Sequence, residues 1–158
     1  MATLIVLRHA KSEHGLGMAD IDRPLNDRGR RDAKAVGKHL QADGLVPELV
    51  LCSTATRTRQ TLDGLHLGTE SEISFEPQIY HNDVDTLLDL LRAAGDDART
   101  VLLIGHNPSL HQLVIDLTTS DIERFPTSAC AALSVDGPWA NLASGGARLI
   151  SLWTPKTA

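Results

Sequence analysis

The 158-residue sequence predicts a three-layer α/β sandwich, a mostly parallel central sheet with helices on both faces. Three observations lead there. Short apolar runs alternate with amphipathic stretches from end to end, the pattern of repeated β-α-β units. The runs Leu4 to Leu7, Leu49 to Cys52 and Val101 to Ile104 are continuously apolar, as strands covered on both faces must be. Each gives way to polar residues and, further on, to apolar positions at helical spacing. The length and the 42% hydrophobic content suit one domain, residues 1–158, with a sizeable core.

The first strand, Thr3 to Leu7, runs into Arg8-His9 and a polar loop over residues 10 to 28. A helix is expected from about Gly29, with Ala33, Val36, Gly37 and Leu40 as its buried stripe. Leu49 to Cys52 is the second strand, and Ser53 or Thr54 is the expected N-cap of a helix running to about Leu67. A short third strand is expected around Ile73 to Phe75. Val84, Leu87, Leu88 and Leu91 then mark an amphipathic helix that stops near Gly95. After the strand Val101 to Ile104, Pro108 suits the opening of a helix whose apolar face is Leu110, Leu113, Val114 and Leu117. Ala129 to Val135 and Arg148 to Trp153 read as two last strands joined by the Gly/Pro/Ser-rich segment 136–147, an antiparallel hairpin at one sheet edge.

Composition narrows the function classes. Cys52 and Cys130 both fall in apolar runs and read as small buried hydrophobes, which suggests a reducing, cytoplasmic compartment. No apolar run approaches the roughly 18 to 20 residues of a membrane span. The net charge of -5 argues against a nucleic-acid binder. Residues 8–38 nevertheless carry a local +3, against -8 for the rest. The plain account is a solvated helix face; the alternative is steering of an anionic substrate or partner. Nothing in the composition calls for a metal or an organic cofactor, or indicates an oligomeric state.

Arg8, His9, Arg57 and His106 each follow a buried strand, so all four are expected at one rim of the sheet, where the crevice of an open α/β sheet lies. Together they would form a cationic pocket. Guanidinium forks hold phosphoryl oxygens bidentately, and a histidine can attack phosphorus to give a phosphohistidine that water later cleaves. His9 fits that role best because Arg8 adjoins it. His14, His39, His66 and His111 read as structural or exposed, Arg59 as part of a helix-surface ion pair, and Asp22 with Arg23 as a local pair fixing the loop. A thiol phosphatase does not fit, because its Cys-x5-Arg loop is one residue longer than the interval from Cys52 to Arg57. A metal hydrolase does not fit either, since His106 and His111 lack the spacing that puts two ligands on one helix face. A non-catalytic phosphate-binding adaptor is the rival from another class, and the presence of both histidines and both arginines argues against it.

Four blocks, in order, resemble the histidine phosphatase superfamily, also called phosphoglycerate mutase-like: Leu7-Arg8-His9-Ala10-Lys11-Ser12, Asp22 to Gly29, Ser53 to Arg57 with Gln60-Thr61, and Gly105-His106-Asn107-Pro108. The short length, the last block and Phe125-Pro126-Thr127-Ser128-Ala129 are most similar to the small bacterial SixA-like phosphohistidine phosphatases. The resemblance spans residues 4 to about 135. It implies a metal-independent phosphatase with His9 as nucleophile and Arg8, Arg57 and His106 holding the phosphoryl group.

Two departures from the larger family bear on substrate. Where mutases and many phosphomonoesterases of the superfamily carry a proton-donating Leu-x-Glu, this chain has Ile79-Tyr80-His81, which leaves His81 as the candidate proton donor. An alkoxide needs a proton in order to leave, whereas imidazole, with a reference pKa of about 6.5, departs with little help. Protein phosphohistidine is therefore the expected substrate, with a small phosphomonoester as the alternative. The chain also lacks a long insertion between the second strand and Ile79. That leaves the pocket uncovered for a protein-borne phosphate, with the positive stretch from Lys11 to Lys38 available to an acidic partner.

Overall fold

A computed structural model describes residues 2–68 and 70–155. Its elements are β1 (Ala2–Arg8), α1 (Asp27–Ala42), β2 (Leu49–Cys52), α2 (Thr56–Leu65), β3 (Glu72–Phe75), α3 (Val84–Arg92), β4 (Thr100–Gly105), α4 (Ser109–Thr118), β5 (Cys130–Val135) and β6 (Ala147–Trp153). Short 3-10 turns at Asp20–Asp22, Pro77–His81 and Trp139–Asn141 lie between them. The sheet order is β3-β2-β4-β1-β5-β6. The first four strands are mutually parallel, while β5 runs antiparallel to β1 and β6 antiparallel to β5. The expected α/β sandwich is thus the observed fold, and the hairpin β5–β6 closes one edge.

The period of two along each strand divides the core into two layers. Ile5, Leu7, Val50, Cys52, Leu102 and Ile104 point to one face, where Val36 and Leu40 of α1 and Leu62 and Leu65 of α2 cover them. Leu4, Val6, Leu49, Leu51, Val101 and Leu103 point to the other, under Leu87 and Leu91 of α3 and Leu110, Leu113, Val114 and Leu117 of α4. Both faces being covered is why these strands read as unbroken apolar runs.

The helix ends differ from expectation for local reasons. The Asn26 side chain accepts from Gly29 N–H at 2.8 Å, so α1 begins at Asp27 and Gly29 lies inside its first turn. Helix α2 ends at Leu65 because His66 turns left-handed, and its N-cap is Ala55, not Ser53 or Thr54. Asp83 caps α3, which stops at Arg92, short of Gly95.

Register places the site. Strands β1 and β4 are neighbours with Arg8 opposite Gly105, so His9 and His106 leave adjacent strands at the same level. Strand β2 flanks β4 on the other side with Cys52 opposite Ile104, which brings Ser53 to that rim as well.

Candidate active site

The rings of His9 and His106 face each other at the sheet rim with centroids 5.4 Å apart. His9 Nδ1 lies 2.8 Å from the carbonyl oxygen of Ala10. A carbonyl only accepts, so Nδ1 carries the hydrogen and the lone pair is on Nε2. Burial pushes the His9 pKa down from 6.5 to about 3; the Ala10 bond opposes this, and His106, Arg8 and Arg57 add to it. The ring is therefore neutral at physiological pH. His106 is held down to about 4, first by burial and next by Arg57. Its Nε2 lies 2.9 Å from Ser53 Oγ, which accepts from the Ala55 N–H at 3.2 Å and leaves the hydroxyl hydrogen for Nε2.

Both arginines are anchored with donors to spare. Arg8 Nη1 donates to Phe125 O at 3.3 Å, and burial followed by the Arg57 charge lowers its pKa. Arg57, in the first turn of α2, donates from Nη1 to Asp20 O at 2.8 Å and from Nη2 to Asp20 Oδ2 at 3.0 Å. Arg8 Nε, Arg57 Nε and His106 Nδ1 are buried without hydrogen-bond partners. Unpaired buried polar groups cost about 1–3 kcal/mol each, and a cluster of them at a cationic rim fits an oxyanion.

The surrounding backbone is tied to these side chains. Ser128, buried and left-handed at φ 64°, donates its N–H to the carbonyls of Arg8 and His9. Thr61 Oγ1 accepts from Ala10 N–H at 2.9 Å and donates to Arg57 O at 2.7 Å, locking the end of β1 to α2. Asn82 donates to Asn107 O and Asn107 to Phe125 O, which joins the segments around His106.

The Asp20–Asp22 turn lies against Arg57 and Tyr80. Asp20 Oδ2 accepts from Tyr80 OH at 2.6 Å as well as from Arg57, and Oδ1 accepts from Arg23 Nε at 2.9 Å. The Tyr80 bond, with help from Arg57, holds the Asp20 carboxyl down at about 2, while the same bond raises the Tyr80 hydroxyl. The Tyr80 ring meets His106 edge-on, with centroids 5.5 Å apart at 84°.

Of the five site residues expected from sequence, Arg8, His9, Arg57 and His106 come together. His81 does not join them: its side chain is exposed and its neighbour Tyr80 faces His106. In a 3-10 turn successive side chains diverge by roughly 120°, so only one of the two can face the pocket. Sequence reasoning missed Ser53, Asp20 and Tyr80. Ser53 obeys the same strand-end rule as the histidines and could have been found by it. Asp20 and Tyr80 have no such signal. Arg23 pairs with Asp20, not Asp22, and Arg59 donates to Thr54 O and lies over the Phe75 ring at 4.7 Å with no acidic partner among the described residues.

Burial pushes the Cys52 and Cys130 thiols up to about 12, so neither is a thiolate at neutral pH. Among the described residues no group of three or more His, Cys, Asp or Glu is placed to hold a metal ion, and no helix is long and apolar enough to cross a membrane. On α1, Arg30 is held by Asp27 and by Leu25 O, whereas Arg31, Lys34 and Lys38 are exposed.

Comparison with known proteins agrees with this geometry. An uncharacterised protein of Mycobacterium tuberculosis is 38% identical over 160 residues, covering 95% of this chain and 100% of its own length. The solved structure of a candidate phosphohistidine phosphatase SixA from Nakamurella multipartitia is 32% identical, with a TM-score of 0.89 over 98% of this chain and 96% of that one. Its counterpart from Agrobacterium tumefaciens is 29% identical with a TM-score of 0.82, covering 98% and 99%. The family model of the histidine phosphatase superfamily, branch 1, matches residues 4–87, more than half of the chain and the stretch that supplies Arg8, His9 and Arg57. By that match the chain belongs to the histidine phosphatase superfamily.

Proposed function

We propose that this protein hydrolyses phosphoryl groups through a covalent phosphohistidine on His9, with protein phosphohistidine as its preferred substrate. The observation that carries the reading is the fixed tautomer of His9: neutral, with its Nε2 lone pair free, beside the buried Arg57 and the half-buried Arg8. Nε2 attacks phosphorus as the bond to the leaving group breaks, and the bonding pair departs with that group. Arg8, Arg57 and His106 meet the charge on the three equatorial oxygens. Water then attacks the phosphoryl-His9; the P–N pair returns to Nε2 and the water's hydrogen leaves with inorganic phosphate. The guanidinium pair supplies the positive charge, so the reading calls on no metal or cofactor.

The leaving group decides the substrate class. Asp20 is ionised, the Tyr80 hydroxyl is given to Asp20 with its pKa raised, and His81 is turned out to solvent, so among the described residues none of these three is poised to protonate an alkoxide. General-acid help contributes roughly 10²- to 10⁴-fold, and imidazole does without it. The likeness to a candidate phosphohistidine phosphatase at 32% identity supports the same choice. Arg31, Lys34 and Lys38 are offered to an acidic protein substrate, and the free, buried cysteines suit a reducing cytoplasm.

Competitive hydrolysis of a phosphohistidine protein, a phosphotyrosine peptide and a sugar phosphate tests the reading, with an alkaline quench to preserve the acid-labile P–N bond. The phosphohistidine protein is expected to turn over fastest, with a KM that rises with salt, and with label on His9. His9→Ala is expected to lose both label and turnover. Undiminished turnover by His9→Ala, or a faster sugar phosphate, overturns it.

A further inference from the structure

In-line transfer sets the leaving group opposite the attacking atom. His9 is 7% exposed, so a leaving group set opposite its attacking nitrogen lies toward solvent. A carboxylate stands beside these side chains: Asp20 is bonded to Arg57 and to Tyr80, whose ring meets His106 edge-on. The Asp20 side chain is 54% exposed, yet Arg57, Arg23 and Tyr80 all donate to it. These donors come from α2, from the residue following the Asp20–Asp22 turn, and from the Pro77–His81 turn, so the carboxylate is fixed in place.

We propose that Asp20 is the specificity-determining residue for the leaving group, its carboxylate receiving a cationic nitrogen group, the phosphoimidazolium of phosphohistidine, in preference to the oxygen of a phosphate ester. The proposal rests on the phosphatase reading above and names the residue that selects the substrate. An imidazole phosphorylated on one nitrogen carries its proton on the other. When the P–N bond breaks, the bonding pair stays on the nitrogen that loses phosphorus and the proton stays where it was, so neutral imidazole departs without a proton donor. What the site must supply is an acceptor for the distant N–H⁺. A carboxylate offers about four lone-pair positions; Arg57 and Tyr80 take two on Oδ2 and Arg23 one on Oδ1, which leaves Oδ1 able to accept another hydrogen bond. Arg57 keeps Nε unpartnered beside its two bonds to Asp20, so holding the carboxylate does not use up its donors to the phosphoryl group. An ester brings no cation to the rim, and a sugar carrying further anionic groups meets repulsion from Asp20.

The test compares kcat/KM for phosphoimidazole and phenyl phosphate in the wild-type protein, Asp20→Asn, Asp20→Glu and Tyr80→Phe, with covalent label on His9 followed throughout. A hydrogen bond to a charged group is worth about 1.5–3 kcal/mol; at about 1.36 kcal/mol per factor of ten, the ratio of phosphoimidazole to phenyl phosphate in Asp20→Asn is expected to fall about tenfold or more. Tyr80→Phe, which loosens the carboxylate without removing it, is expected to lower the ratio by a smaller factor, and Asp20→Glu to retain most of it. A ratio that holds in Asp20→Asn while both rates fall reduces Asp20 to an anchor for Arg57 and overturns the proposal. A ratio that rises shows that the carboxylate obstructs the site and also overturns it. Loss of the His9 label in the wild-type protein defeats the phosphatase reading itself and this proposal with it, whereas a labelled wild type with an unchanged ratio defeats the proposal alone.

Discussion

Ser53 shows how much of the pocket depends on one hydroxyl. It accepts from the Ala55 N–H at the start of α2 and contacts His106 Nε2, so it joins the first turn of the helix bearing Arg57 to the histidine at the end of β4. With the Ser53 hydrogen directed at Nε2, the His106 hydrogen sits on Nδ1, the nitrogen that has no protein partner. Ser53→Ala removes that constraint and leaves a buried N–H unpaired. A net hydrogen bond of about 1 kcal/mol and the factor of ten per 1.36 kcal/mol set the scale: kcat/KM is expected to fall roughly fivefold, with Ser53→Thr recovering part of the loss. Equal activity in Ser53→Ala would show that His106 is oriented by its backbone alone.

At the scale of elements, the contact between α1 and α2 controls where Arg57 stands. A Cβ at Gly37 in α1 would collide with the Leu65 carbonyl oxygen in α2, and one at Gly64 would come within 2.7 Å of the Ala33 Cβ. Backbone cannot yield as a side-chain tip can, so Gly37→Ala is expected to destabilise the fold by about 1–3 kcal/mol, read as a lower urea midpoint. Because α2 carries Arg57, kcat/KM is expected to fall as well; a variant with wild-type midpoint and activity would show that the helices slide apart freely. The same elements explain what the sequence made legible. Strands buried on both faces and helices with one apolar stripe print their periods in the chain, and residues at strand ends inherit their positions from them. That is why Arg8, His9, Arg57 and His106 could be named from sequence. Asp20 could not, because bonds to residues 37 and 60 positions away fix its turn. Residue type points to His81 as a proton donor, but it does not say which side of a 3-10 turn faces inward, and that side belongs to Tyr80.

The whole molecule carries these buried histidines as a pH dependence of stability. Folding lowers His9 from about 6.5 to about 3 and His106 to about 4. Between those values the unfolded chain binds more protons than the folded one, so stability rises with pH across the window and is lost as pH falls from about 6.5. The slope from each ring is at most about 1.4 kcal/mol per pH unit. The loss levels off near the folded values, where the native rings charge too. Asp20 acts in the same direction lower down: its folded value near 2 stabilises the fold above the unfolded carboxyl range, and that contribution is lost as pH falls toward 2. Its half-exposed side chain keeps this share small. Urea midpoints measured between pH 7 and pH 4.5 are therefore expected to fall, and His9→Gln, which cannot titrate, is expected to show a shallower slope than the wild type. A midpoint independent of pH across that window would mean that the rings protonate in the fold as readily as in the unfolded chain, and His9 would then not be the neutral nucleophile that the pocket requires.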